Sequence, residues 1–85
     1  MKLEDLKNAE NIIVGTKQTT KAITQGKVKH IFLAGDAEER ITRPVLEACN
    51  RQNIPVTWVD SMAELGKACK IKVKAAMAAV LASDE

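Results

Sequence analysis

The sequence predicts an α/β fold in which helices pack against a sheet. Short β-branched and aliphatic runs alternate along the chain with segments of helical apolar spacing, the pattern of a layered α/β domain. The 85 residues are 46% hydrophobic but only 2% aromatic, so we expect an aliphatic core with Phe32 and Trp58 as its only large rings. A chain of this length holds one core, and we expect residues 1–85 to form a single domain.

The chain is expected to open with a helix, a strand and a second helix. Apolar residues three positions apart predict a short helix at residues 2–9. The β-branched run at residues 12–14 predicts a short buried strand. Thr16 is the expected N-cap of a helix over residues 17–25, and Gly26 closes that helix.

The alternation continues through the middle of the chain. Residues 30–34 predict a central strand, and the acidic residues that follow suit a helix entrance, where negative charge meets the positive end of the dipole. Pro44 interrupts the next helical pattern, so we place it in the first turn of a helix that runs to about Asn53. Another strand is expected at residues 56–59. The pattern Ser-Met-Ala-Glu from Ser61 matches a capping box and starts a fourth helix.

The alanine-rich segment at residues 75–81 fits two structures. Its composition has high helix propensity, which favours a helix. A strand is the alternative, because three short strands leave the middle of the sheet poorly paired and small alanines fit a strand under closely packed helices. Tertiary context commonly overrides propensity, so we predict a strand.

The net charge of +2 is unevenly distributed. Residues 1–34 carry six lysines and three acidic residues, residues 35–61 carry three arginines and five acidic residues, and residues 62–82 carry four lysines and one glutamate. The tail, Asp84 and Glu85, is acidic. If the fold brings the two lysine-rich segments together, they form one basic face that attracts polyanions. The alternative is ordinary solvated surface charge.

Few side chains suit catalysis or metal binding. His30 is the only histidine, and Cys49 and Cys69 have no CxxC spacing, so no zinc ligand set can be assembled. We expect two buried thiols, no cofactor and no enzymatic activity, since neither a nucleophile–base pair nor a glycine-rich nucleotide loop has local support. The apolar runs are too short to span a bilayer and no signal peptide precedes the domain, so we expect a soluble, cytoplasmic protein.

The stretch GTKQTTK follows the first strand without an aliphatic or aromatic side chain. A helix that begins at Thr16 presents free amides from Thr16 to Thr19, which can bind phosphate or base-edge oxygens. Lys17, Gln18 and Lys21 share one face, because positions three and four apart are neighbours on a helix. Lysine donates to phosphate and guanine, and glutamine both donates and accepts. The composition of these positions predicts a ligand-binding site. The alternative is a solvated amphipathic helix.

A second basic segment is expected in the loop after the fourth helix. Ile71 and Val73 alternate there with four lysines: Lys67, Lys70, Lys72 and Lys74. Strand alternation explains the pattern if the apolar side chains face inward. A loop that offers aliphatic side chains to an unstacked RNA base, with lysines on the flanking phosphates, explains it equally well.

Two motifs and the order of the elements between them resemble a known family. The motifs are IIVGTKQTTKAI at residues 12–23 and IPVTWVDSMAELGKACKI at residues 54–71. They resemble the kink-turn-binding ribosomal protein superfamily of the L7Ae/L30e type, most closely its short bacterial members, over nearly the whole chain. The resemblance implies a three-layer α/β/α sandwich around a four-stranded mixed sheet, which binds RNA kink-turns.

The resemblance also implies which residues contact RNA. In the family, the helix start after the first strand enters the major groove at tandem sheared G·A pairs, and the loop after the fourth helix covers a base turned out of the stack. By position, the groove role falls to Gly15, Thr16, Lys17, Gln18 and Lys21. The loop role falls to Ile71, Lys72 and Val73.

The sequence departs from the family pattern in three places. Archaeal and eukaryotic members carry Asn-Glu where this chain has Lys17 and Gln18, so an amide carbonyl must replace the carboxylate that accepts from guanine. Ile13 and Val14 stand where those members often carry basic residues. Lys70 stands where glycine is usual at the helix end, which costs a left-handed cap about 1 kcal/mol or more.

We therefore predict a non-enzymatic protein that recognises kink-turn RNA through tandem G·A pairs and an extruded base. Ribosomal RNA is one candidate target. We expect the protein to act as a monomer and away from membranes. The alternative is a protein-interaction module of the same fold that does not bind RNA and whose basic faces meet an acidic partner.

Overall fold

Residues 2–82, which the computed structural model describes, alternate between helices and strands. The helices are α1 (Leu3–Asn8), α2 (Thr16–Thr24), α3 (Glu39–Gln52) and α4 (Met62–Ala68). The strands are β1 (Ile12–Val14), β2 (Val28–Ala34), β3 (Val56–Val59) and β4 (Met77–Leu81). Within this part of the chain, no helix has the length and apolar character needed to cross a membrane. The acidic tail at Asp84 and Glu85 lies outside the described residues.

The sheet has the strand order β1-β4-β2-β3. β4 runs antiparallel to both of its neighbours, whereas β2 and β3 are parallel, so the predicted four-stranded mixed sheet is confirmed. The strand predicted for the alanine-rich segment is also confirmed, because Val80 pairs with Ile12 on one side and Ala79 pairs with Ile31 on the other. Pairing on both sides and burial of the small alanines outweigh the helix propensity of this segment.

Helices cover both faces of the sheet, which confirms the three-layer α/β/α sandwich. On one face, Leu6 of α1 and Leu65 of α4 pack with Phe32 in the α1/α4 cluster. On the other face, Ile23 of α2 packs with Leu33 in the α2/α3 cluster, which also contains buried residues of α3. Phe32 and Leu33 belong to different clusters because successive residues of a strand point to opposite faces of the sheet.

The two cysteines are free and buried, as predicted. Cys49 belongs to the α2/α3 cluster and Cys69 to the α1/α4 cluster, so the sheet separates the two thiols. Burial raises the pKa of both thiols, because the thiolate is poorly solvated in the interior. His30 is buried in β2, where its Nε2 lies 2.7 Å from the hydroxyl oxygen of Thr57. Burial lowers the pKa of this imidazole.

The central strand and the third helix both begin earlier than predicted. β2 begins at Val28, two residues ahead of the predicted start. α3 begins at Glu39, so Pro44 lies in its second turn and not in the first. Proline removes only one backbone hydrogen bond there, and the turn ahead of it packs on the molecule through Ile41 and buried Thr42.

Trp58 is not the core residue that the composition suggested. Its side chain is 52% exposed, whereas Phe32 is fully buried. Trp58 belongs to β3, which is an edge strand and has a neighbouring strand on one side only. The core is therefore almost entirely aliphatic, with Phe32 as its large ring.

Candidate nucleic-acid interface

Gly15 forms the turn between β1 and α2. It has a φ of 106°, a backbone conformation that favours glycine, and it is the N-cap of α2. Thr16, the predicted N-cap, is therefore the first helical residue instead. The chain must pass from strand to helix at a single residue, and only a residue without a Cβ adopts this conformation readily.

Three backbone amides are available at the start of α2. They belong to Thr16, Lys17 and Gln18, the first turn, where a helix provides no acceptor for its own amides. The expected fourth donor is not free, because the amide of Thr19 donates to the carbonyl oxygen of Gly15 at 3.0 Å. Because the N-cap is glycine, no N-cap side chain accepts a hydrogen bond from these amides.

We call the residues predicted for the groove role the α2 entrance. They are Gly15, Thr16, Lys17, Gln18 and Lys21. The last four are exposed, whereas Ala22 and Ile23 form the buried side of the helix. Gln18 and Lys21 line one shallow groove of about 250 Å³ beside the edge strand β1, together with Ile13. Lys17 is exposed but does not line this groove.

Residues 69–76 form the lysine loop, which connects α4 to β4. The amide of Ile71 donates to the carbonyl oxygen of Gly66 at 3.1 Å. The amide of Lys70 donates to the carbonyl oxygen of Lys67 at 3.0 Å. These two bonds form a Schellman cap, in which the residue after the helix end adopts a left-handed conformation. Lys70 adopts that conformation with a φ of 63°, so the loop has the glycine-type helix end although the residue is a lysine.

Gly66 allows the lysine loop to pack directly on α4. A Cβ at this position would overlap the carbonyl oxygen of Val73 and lie 3.3 Å from the Cα of Lys74. No motif in the sequence predicted a role for Gly66. The available signal was a glycine inside a helix, which costs about 1 kcal/mol relative to alanine and therefore indicates a packing reason.

The lysine loop presents aliphatic side chains between cations. Val73 is 69% exposed, and Lys72 is exposed beside it. Ile71 is only half-buried, because part of its side chain packs against the α1/α4 cluster. A shallow depression of about 330 Å³ is lined by Ala63, Lys67, Ile71, Lys72, Val73 and Lys74. All three residues predicted for the loop role line this depression.

The α2 entrance and the lysine loop lie side by side at one end of the sheet, where β1 ends and β4 begins. The amide of Gly15 donates to the carbonyl oxygen of Met77 at 3.1 Å. Met77 is the first residue of β4 and directly follows the lysine loop. Because β1 and β4 are antiparallel neighbours, the end of β1 lies beside the start of β4. The two predicted regions therefore lie next to each other in the folded chain.

Asp36 connects two segments at the same end of the sheet. Its carboxylate Oδ1 accepts a hydrogen bond from the amide of Met62 at 2.7 Å, which ties the turn after β2 to the start of α4. The hydroxyl of Ser61 accepts from the amide of Glu64 at 3.1 Å, so the predicted N-cap of α4 is confirmed. The contact of Asp36 spans two distant segments and left no signal in the sequence.

Charge is compensated on α3 but not in the two predicted regions. Arg40 forms an ion pair with Glu38, and Arg43 forms one with Glu39 at 3.4 Å. Across residues 2–82, no lysine takes part in an ion pair. Within the described part of the chain, the lysines of the α2 entrance and the lysine loop therefore have no acidic partner that a bound polyanion would have to displace.

Comparison with known proteins gives one consistent result. The family model for the ribosomal protein L7Ae/L30e/S12e/Gadd45 family matches residues 1–85. An RNA-binding protein of Geobacillus kaustophilus is 48% identical over 81 residues, which cover 95% of this chain and 99% of that protein. The RNA-binding protein YbxF of Geobacillus stearothermophilus is 47% identical over 81 residues with the same coverage. The fold matches that of the 15.5kD RNA binding protein of Giardia lamblia with a TM-score of 0.83 at 24% identity, over 96% of this chain and 69% of that one.

Proposed function

The chain belongs to the ribosomal protein L7Ae/L30e/S12e/Gadd45 family, and from this premise we propose that it is a non-enzymatic RNA-binding protein that recognises kink-turn RNA. Relatives that match almost end to end are named RNA-binding proteins, which supports RNA as the ligand. The observation that carries the proposal is the hydrogen bond from Gly15 to Met77, because it holds the α2 entrance beside the lysine loop. One bent RNA can contact both regions at once.

In this proposal the α2 entrance binds the major-groove edge of the tandem G·A pairs. The side chains of a protein cannot enter the narrow major groove of regular A-form RNA, but a kinked duplex opens it. The free amides and the two lysines donate to phosphate and base oxygens, and the side-chain amide of Gln18 both donates and accepts. Gly15 lets the RNA backbone approach closely, since it presents no side chain.

The lysine loop covers the extruded base in the same proposal. Val73 and the exposed part of Ile71 offer an apolar surface to a base that has left the stack. Lys72 binds a flanking phosphate, which adds affinity without sequence preference. The rigid Schellman cap and the packing on Gly66 hold this surface in one position before RNA binds.

A gel-shift comparison tests the proposed function. The two RNAs have equal length and charge, and they differ only in the tandem G·A pairs, which are replaced by Watson–Crick pairs in the control. We expect the protein to bind the kink-turn much more tightly than the control at matched salt. Equal binding of both RNAs would indicate a nonspecific polycation, and binding of neither would favour a protein-interaction module. We expect residues 1–85 to act as one cytoplasmic, monomeric domain, with ribosomal RNA as a candidate target.

A further inference from the structure

Lys67 connects the lysine loop to a second groove on the outer surface of the molecule. This groove lies between α1 and α4 and has a volume of about 250 Å³. It is lined by Leu3, Lys7, Glu64, Lys67 and Ala68. Lys67 also lines the depression of the lysine loop. The two depressions therefore share one wall, and together they form a continuous surface from the loop to α1.

This surface is predominantly cationic. Lys72 and Lys74 lie at the loop end, Lys67 lies in the middle and Lys7 lies at the α1 end. Glu64 is the one acidic residue among those that line the two depressions. It is three positions from Lys67 on α4, yet across residues 2–82 it forms no ion pair with a lysine. Such a row of unpaired lysines attracts a polyanion.

The chemistry of this surface suits a phosphate backbone better than a base. The residues that line the α1/α4 groove include no aromatic ring on which a base could stack. Lysine carries a compact charge on a flexible stem with three donors, so it follows phosphates without demanding one geometry. Phosphate contacts of this kind position a nucleic acid but do not read its sequence.

We propose that Lys67 and Lys7 bind the sugar-phosphate backbone of the RNA strand that leaves the extruded base, which extends the RNA interface from the lysine loop along α4 to α1. This proposal rests on the proposed function, because the lysine loop fixes where that strand begins. In it, Lys67 binds the phosphates nearest the loop and Lys7 binds phosphates farther along the strand. The groove adds affinity and makes it depend on the length of the RNA.

The salt dependence of binding tests this proposal. The RNAs are a kink-turn whose strand continues well beyond the extruded base and a shortened kink-turn that ends close to it. On the long RNA, we expect Lys67→Ala and Lys7→Ala each to make the slope of log K against log salt shallower by about 0.7–0.9, the value for one lost phosphate contact. On the short RNA, we expect Lys7→Ala to bind like the parent protein.

Two controls separate a local contact from a general loss of charge. Arg51→Ala removes an exposed cation near the end of α3, on the opposite face of the sheet from α1 and α4, and we expect an unchanged slope. Lys72→Ala removes a lysine of the proposed interface, and we expect a shallower slope on both RNAs. We also expect Glu64→Gln to tighten binding to the long RNA, because it removes the acidic residue from the groove.

The outcomes distinguish this proposal from the proposed function. If the parent protein binds the kink-turn and its G·A-disrupted control equally, the proposed function fails. If the parent discriminates but Lys67→Ala and Lys7→Ala keep its slope on the long RNA, the extended interface fails alone. The extension is also overturned if Arg51→Ala reduces the slope as much as they do. Thermal unfolding of each variant verifies that it is folded, which we expect for substitutions of exposed charged residues.

Discussion

The carbonyl oxygen of Val73 lies directly over Gly66, in the space that a Cβ at position 66 would occupy. A side chain on α4 at this position and the present course of the lysine loop exclude each other. Gly66 therefore determines where the loop places its lysines, although Gly66 itself is buried. The same contact fixes the distance between the loop and Lys67, the neighbouring residue on α4.

We expect Gly66→Ala to lower the free energy of unfolding by about 1–3 kcal/mol, the usual cost of overpacking. The added methyl group must displace the backbone at residues 73–74, so we also expect weaker binding to a kink-turn. Urea unfolding and gel shift measure the two effects. Gly35→Ala is the matched control, because a Cβ there would make an ordinary contact of 3.4 Å with the carbonyl oxygen of Val59. Equal effects of the two substitutions would contradict the role of Gly66.

Gln18→Ala is expected to weaken kink-turn binding by about 1–3 kcal/mol, through the loss of contacts to base edges. Gln18 is exposed, so we expect its removal to leave stability nearly unchanged. Thr24→Ala serves as the control, because Thr24 is exposed at the far end of the same helix and does not line the groove beside Gln18. Equilibrium titration at one salt concentration compares the three proteins. The prediction is wrong if Gln18→Ala binds as tightly as the parent.

Lys70→Gly is expected to be more stable than Lys70→Ala by about 1 kcal/mol, because only glycine adopts the left-handed conformation without steric cost. Both variants lack the lysine charge, so their difference isolates the backbone effect. Denaturant unfolding measures it. If the alanine variant is as stable as the glycine variant, the left-handed helix end at position 70 is refuted.

Stability is expected to fall as the pH decreases below about 6.5, the ordinary pKa of histidine. Burial lowers the pKa of His30 in the folded state, so below this pH the unfolded chain binds more protons than the folded chain. Neutral His30 therefore makes its full contribution to the free energy of unfolding above pH 6.5. This contribution is lost as the pH falls towards the pKa of His30 in the folded state. Urea unfolding between about pH 7.5 and pH 5.5 measures the loss, above the range where most carboxylates titrate.

His30→Gln supplies the comparison for this pH dependence. Glutamine does not titrate and retains a polar group that can bond to the hydroxyl of Thr57, whose oxygen lies 2.7 Å from the imidazole nitrogen. We expect its stability to change much less over the same pH interval. A parent protein that is equally stable at both ends of the interval would rule out the lowered pKa.

Local signals in the sequence were sufficient to predict the position of most helices and strands. The β-branched run of β1 and the capping residue Ser61 both predicted boundaries that the structure confirms. Composition alone favoured a helix for β4, and the strand could be predicted only by asking which segment would complete the sheet. Trp58 was misplaced because exposure depends on the position of β3 in the strand order, which no local pattern reveals.

Local sequence signals predicted where the candidate site lies, but not the contacts between distant segments that shape it. Unusual local composition predicted the α2 entrance and the lysine loop as binding regions. The N-cap was assigned to Thr16 because threonine is a frequent cap, whereas the sharp turn out of β1 requires glycine at position 15. The contacts of Gly66 with Val73 and of Asp36 with Met62 join segments separated in sequence, so periodicity could not predict them.

The position of β4 between β1 and β2 determines when the sheet can form during synthesis of the chain. β1 and β2 do not pair with each other, so β1 has no partner strand in a growing chain that still lacks residues 77–81. The acceptor for the amide of Gly15 also belongs to that last strand. A nascent chain therefore cannot assemble the α2 entrance in its final form while residues 77–81 remain inside the ribosome, and the surface proposed to bind RNA is completed only once they have emerged.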